Sequence, residues 1–230
     1  MGTVVKPTYI FLTAKPWNDA TFTELEKDQN VNWVRIKSKE EFQYSKIAEL
    51  QPAKIFIPHW SYMIPAEIFN SFECIVFHMT DLPFGRGGSP LQNLIVRGHK
   101  NTKISALKVT HEVDAGDIYL KKDLSLEGNA SEIFTRADTI IATMISEIIL
   151  NNIKPESQEG ETYYFSRRTP SQSRIDDVDD ISKLFDLIRM VDAEGYPKAF
   201  FETPFFRVEF SGAKQVDQEN LIANVRIFKK

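Results

Sequence analysis

The sequence predicts an α/β fold: a Rossmann-like, mostly parallel sheet with helices on both faces, plus a small C-terminal α+β segment ending in a β-hairpin. Three observations predict it. Apolar runs of strand length at 9–13, 31–36, 54–57 and 74–77 alternate with helix-sized stretches up to residue 150. A polar stretch at 151–160 marks a change of composition. Beyond it, 205–210 and 221–228 alternate like two strands joined by a polar loop. The expected division is therefore 1–150, the main α/β domain, and 151–230, a C-terminal extension.

In order, Tyr9–Thr13 reads as the first strand, Pro16 ends it and Trp17 lies in the first loop. A helix at 21–27 and a strand at 31–36 follow. Ser38 with Glu41 forms a capping-box pattern, which predicts a helix to about Leu50. Lys54–Ile57 is a strand stopped by Pro58, and Pro65 opens a short helix. Cys74–Phe77 is a buried strand that ends directly in His78. A loop with Gly85, Gly87 and Gly88 then leads to Ser89-Pro90, an N-cap and first helical residue, and a helix to about Arg97. Ile104–Val109 carries apolar residues on both faces, as a buried strand does. The polar turn 111–117 precedes a short strand, 118–120. Ser131–Leu150 carries the wide apolar stripe of a core helix. Thr162–Phe165 is a short strand, and 181–191 a helix closed by Gly195 and Pro197.

Composition excludes several classes. The 230 residues are 42% hydrophobic and 26% charged, as in an ordinary globular protein. A net charge of −4 gives no general attraction for nucleic acid or an anionic membrane, so neither is expected as a partner, although a local basic patch stays open. Cys74 stands alone, which excludes an internal disulfide. The first residues lack an apolar leader and no run is long enough to span a bilayer, so a cytoplasmic location is expected. No H-E-x-x-H and no cysteine pair occurs, so no metal is expected. Gly85-Arg-Gly-Gly88 lacks the Lys-Ser/Thr of a P-loop and reads as a loop that lets backbone approach a ligand.

The chemistry points to His78 and Asp114. An imidazole can move protons near neutral pH, and a carboxylate beside it fixes its orientation. Neighbouring parallel strands would bring both loops to one edge of the sheet, where open α/β sheets place their ligands. Such a pair suits proton transfer during acyl transfer to an amine.

These residues carry a resemblance. Val76-Phe-His78-Met-Thr80-Asp-Leu82-Pro83, then Arg86-Gly87 and Pro90, resembles the Asn-x-His-x-Ser-Leu-Leu-Pro signature of the folate-dependent formyltransferases. Asp114-Ala-Gly-Asp117 resembles their second signature. The resemblance covers roughly the first 150 residues, a span suited to one domain. It implies an N10-formyltetrahydrofolate donor and a primary amine acceptor, with His78 assisting proton movement and Asp114 orienting it. It implies cofactor contacts from Tyr62, Met63, Ile64, His111, Glu112 and Asp114. Val76 stands where the family has asparagine, a residue that polarises the formyl oxygen. Asn93 is a possible substitute, or simply a helix residue.

For the acceptor, the tail residues Arg167-Arg-Thr-Pro170 and Gly195–Phe200 resemble sugar-nucleotide N-formyltransferases. The implied substrate is dTDP-4-amino-4,6-dideoxyglucose, used in O-antigen synthesis, with Lys15, Trp17, Thr80, Arg86 and Gln92 at the substrate. Trp17 either touches the sugar or packs. The alternatives are another dTDP- or UDP-aminosugar, or a binding protein without transferase activity. The acidic balance and the short tail argue against methionyl-tRNA formyltransferases, which are basic and carry a C-terminal barrel. The aromatic tail, 196–206, could stack a thymine or build the interface of a homodimer, and the interface is preferred.

Overall fold

The computed structural model describes residues 6–230; the start of the chain, read above for a leader, lies in part outside them. The first elements are β1 (Thr8–Thr13), α1 (Asp19–Leu25), β2 (Asn32–Ile36), α2 (Tyr44–Leu50), β3 (Lys54–His59), α3 (Ala66–Ser71) and β4 (Cys74–His78). Then come β5 (Phe84–Gly87), α4 (Pro90–Ile95), β6 (Asn101–Lys108), β7 (Ile118–Ser125), α5 (Ala130–Leu150) and β8 (Tyr163–Phe165). The chain closes with α6 (Ile181–Arg189), β9 (Ala199–Glu202), β10 (Phe206–Gln215) and β11 (Leu221–Lys229).

Six strands form the main sheet in the order β2-β1-β3-β4-β6-β7. β1 pairs in parallel with β2 and β3, and β3 with β4. Successive side chains of a strand point to opposite faces, and here both faces are buried. Ile10, Leu12, Ile55, Ile57 and Cys74 join one aliphatic cluster with Ile47 of α2 and Ile68 of α3. On the other face, Tyr9, Phe11 and Phe56 meet Trp33 and the α1 residue Phe22 in an aromatic layer. Each fully buried aliphatic side chain stabilises by roughly 1.5–3 kcal/mol, so this sheet is a firm base for whatever its strand ends carry.

The C-terminal hairpin gains a third strand, giving the antiparallel order β11-β10-β9. β9 escapes sequence reading because it is short and flanked by prolines. Helix α6 is capped by Asp180, whose carboxylate accepts from the Lys183 N–H at 2.8 Å. It packs on β10 and ends in buried Arg189, which donates to the carbonyls of Leu126 and Gly128. The compact units do not follow a single cut near residue 150. One runs to Arg86 and takes in Lys103–Leu124 and Thr135–Tyr164; the other takes Gly87–Thr102, Ser125–Phe134 and Phe165–Lys230.

Two capping expectations fail because tertiary contacts override them. Ser38 and Glu41 make half of the box, with the Glu41 N–H on Ser38 Oγ at 3.2 Å, while the Glu41 carboxylate accepts from the Lys37 N–H at 2.9 Å. They close a turn, however. Phe42 is buried in the aliphatic cluster and Gln43 is extended, so α2 starts only at Tyr44. Ser89 takes a left-handed backbone, φ 52°, and its hydroxyl accepts from the Arg168 N–H at 3.1 Å instead of capping α4.

Candidate active site

β4 delivers His78 at the carboxyl end of a central strand, and the ring is buried, 7% exposed. Its Nε2 lies 2.8 Å from the Gly85 carbonyl oxygen. That oxygen only accepts, so Nε2 is the N–H nitrogen. Nδ1 is thereby turned to Asp114, with its Oδ2 at 3.5 Å. A proton arriving at Nδ1 sits between imidazole and carboxylate. The gap is longer than a direct hydrogen bond, and contacts of this kind commonly tighten as a site closes on its substrates.

The sequence reading brought His78 and Asp114 together by parallel strands. The structure brings them together by another route. β6 runs antiparallel to β4, with His78 opposite Ser105 and Ile75 opposite Lys108. The loop after β6 therefore leaves at the far end of β4 from His78, where the Val109 N–H donates to the Cys74 carbonyl. It must fold back over the face that carries Cys74, Val76 and His78. Two devices allow this. Asp114 takes a left-handed backbone, φ 55°, which Asp tolerates better than most residues and which is a form of strain found at functional sites. Gly116 lies so close to β6 that a Cβ would meet the Lys108 carbonyl oxygen at 1.8 Å. The loop is thus pressed against the strand it has just left.

The other predicted residues fall into three groups. Tyr62 and Met63 are exposed, 55% and 72%, and Ile64 packs on the aliphatic cluster. Trp60, Tyr62 and Met63 edge an open hollow of about 600 Å³ that also takes in Lys39 and Phe42; neither His78 nor Asp114 lines it. His111 stacks edge-on against Phe69 at 4.9 Å, and Glu112 accepts from Tyr164 and Arg86. Lys15 lies over the Trp17 ring at 5.1 Å, and Trp17 meets His59 edge-on. These residues stand at the carboxyl ends of β1 and β3, where the strand order reverses, the usual ligand position in an open α/β sheet.

The third group is committed to the protein itself. Thr80 is fully buried and donates to the same Gly85 oxygen as His78, at 3.4 Å. The Gln92 amide donates to the Met190 carbonyl. The Asn93 amide donates to the carbonyls of Gly88, Ser89 and Ser166 and accepts from Arg97. These bonds make it a brace between α4 and the segments before it and at Ser166. Arg86 is held by Gln158, Glu112 and Tyr164.

Sequence reading missed a buried polar network behind the first loop. Asp138 of α5 accepts from Asn18 at 2.5 Å and Thr21 at 2.6 Å, and Thr13 donates to Asn18. Only the burial of a carboxylate within the apolar stripe of 131–150 could have signalled it. Among the described residues, no group of three or more His, Cys, Asp and Glu is placed to hold a metal ion. No helix is long and apolar enough to cross a membrane among those residues.

A histidine–carboxylate pair on this sheet, with the two signatures that supply it, defines a class. The chain belongs to the formyl transferase family, whose sequence profile matches residues 15–134. A second profile, the C-terminal domain of methionyl-tRNA formyltransferase, matches residues 170–228. A solved structure, "Methionyl-tRNA formyltransferase from Clostridium thermocellum", is 48% identical, covers 97% of this chain and 100% of its own, and superposes with a TM-score of 0.94. A methionyl-tRNA formyltransferase of Campylobacter lari is 25% identical over 207 residues, 87% of this chain and 68% of that protein. The chain spans 58% and 52% of two further such relatives. A 4-N formyltransferase from Francisella tularensis shares the fold at 17% identity and a TM-score of 0.66, covering 86% of this chain and 93% of its own.

These comparisons correct the expected acceptor. The preference for a dTDP-aminosugar, with its O-antigen role and its exclusion of nucleic acid, is overturned by the methionyl-tRNA formyltransferases among the relatives. The tail judged too short for that branch is the segment its C-terminal profile matches. Net charge misled because it averages over the whole chain, while nucleic-acid contact depends on local patches.

Proposed function

We propose that the chain transfers a formyl group from N10-formyltetrahydrofolate to the amine of methionyl-tRNA. The observation that carries the chemistry is the His78–Asp114 pair, with Nδ1 and Oδ2 3.5 Å apart. The acceptor rests on the relatives, above all the 48% identical structure. Exposed Tyr62 and Met63 beside Trp60 suit the flat, partly apolar ring system of a folate. When bound, the donor supplies an activated formyl carbon.

The chain's own residues hold and move the proton. The attacking amine must lose one as the formyl carbon's bond to N10 breaks; the Nδ1–Oδ2 gap is placed to receive that proton and to pass it to the departing N10. A proton held there also puts positive charge beside the formyl oxygen as negative charge grows on it. This matters here because Val76, half-buried against the aliphatic cluster, has no polar group to offer that oxygen. His78 therefore carries work that the family shares with an asparagine.

The test mixes the protein and labelled N10-formyltetrahydrofolate with methionyl-tRNA, uncharged tRNA and free methionine. Label on methionyl-tRNA alone supports the proposal. Donor consumption without label on any tRNA would reject the acceptor and leave the formyl chemistry standing.

A further inference from the structure

We infer that Gln158 is a positioning residue that locks both sides of the His78–Asp114 pair; this rests on the catalytic reading of that pair. Gln158 lies in the polar stretch after α5, which sequence reading passed over as a linker. Its amide nitrogen donates to the Asp114 and Gly116 carbonyls, both at 2.8 Å. Its amide oxygen accepts from Arg86, from Nη2 at 2.8 Å and Nε at 3.2 Å. Two donors and two acceptor positions are the whole capacity of a primary amide, so this side chain is saturated.

Those partners lie on opposite sides of the histidine. Asp114 faces Nδ1, and Gly85, the neighbour of Arg86, holds Nε2. One amide therefore ties the loop that carries the carboxylate to β5, which carries the carbonyl. Tyr164 closes the same ring of contacts: its hydroxyl donates to Glu112 at 2.6 Å and accepts from Arg86 at 3.3 Å. Gln158 is itself anchored. Glu156 and Ile118 exchange backbone hydrogen bonds at 2.8 and 2.9 Å, and Ser157 donates to Asp117 at 3.2 Å. The segment is pinned to the start of β7, so it can hold a loop whose Asp114 sits in a strained backbone.

The test uses the full chain with Gln158→Met, which keeps volume and removes all four bonds, and Gln158→Glu, which keeps the acceptor for Arg86 and removes the two donors. Both are expected to lower kcat for formyl transfer by about 10- to 100-fold, the cost of a catalytic group displaced by about 1 Å, with KM for methionyl-tRNA changed less than about threefold. In an Asp114→Asn background, Gln158→Met is expected to cost clearly less than in the parent, because the part of its effect that passes through Asp114 is already lost. A second readout needs no turnover: the ring nitrogen NMR signals of His78, assigned with His78→Asn, should shift in both Gln158 variants. Should Gln158→Met fail to fold, Gln158→Glu carries the test. Parental kcat and unshifted His78 signals in a folded Gln158 variant, or full additivity with Asp114→Asn, would overturn the inference. Parental kcat in Asp114→Ala would instead overturn the catalytic reading beneath it.

Discussion

Gly116→Ala should separate His78 and Asp114 by steric force alone. An added Cβ would stand 1.8 Å from the Lys108 oxygen, where ordinary contact begins at 3.4 Å. The two must therefore part by roughly 1.5 Å, since packed interiors have little slack. The Lys108 carbonyl belongs to β6, a strand built into the sheet, and is backbone, so it yields little. The loop must yield instead, and Asp114 is two residues away. Gly116 has no left-handed backbone, so alanine is conformationally acceptable there and the effect is purely one of contact. A shift of this size, imposed on a His78–Asp114 gap of 3.5 Å, should lower kcat by about 100-fold or more. The assay is steady-state formyl transfer, with thermal melting as a check of folding. Gly98→Ala is the control. It strains a residue at φ 78° with nothing within 4 Å of the new Cβ, so it should lower stability by about 1 kcal/mol and leave kcat alone. A Gly116→Ala protein with kcat within about threefold of the parent would refute the folded-back loop as the device that places Asp114.

Two further outcomes concern the polar groups behind the site. Burial first, and then the charge of Lys15, lowers the His59 pKa from 6.5 to about 4. The unfolded chain takes up that proton first, so stability is complete above about pH 6.5 and is lost as pH falls toward 4; at pH 5 the loss is about 2 kcal/mol. Denaturant titrations at pH 7 and 5 should show a smaller pH dependence in His59→Gln than in the parent; an equal dependence would contradict the assignment. Asp138→Ala leaves Asn18 and Thr21 without their buried acceptor and should destabilise by about 2–4 kcal/mol. A loss below about 1 kcal/mol in the same titration would mean that the network contributes little.

The parts that the sequence made legible are those written locally. The main sheet followed from apolar runs bounded by prolines and glycines, and α5 from a stripe that holds over 21 residues. His78 and Asp114 stood in two short signatures. What joins them was not legible. β6 reads as a buried strand in either direction, and its antiparallel pairing with β4 is set by partners far along the chain. Gln158 looks like any polar residue of a linker; its four bonds reach back across 42, 44 and 72 residues. Gly116 shows its reason only when Lys108 is seen beside it. Ser38 and Ser89 carried capping signals that tertiary contacts redirected, through Phe42 in one case and Arg168 in the other. The acceptor was misjudged from charge and tail length, two quantities that describe the whole chain and no particular surface.

The most direct measurement is the single-turnover rate of formyl transfer to methionyl-tRNA by the parent, His78→Ala and Asp114→Ala, with enzyme in excess over acceptor. Proton transfer by a positioned group contributes about 10²- to 10⁴-fold. Each variant should therefore slow by at least about 100-fold while melting within a few degrees of the parent. Rates within about threefold of the parent in both folded variants would place the chemistry elsewhere.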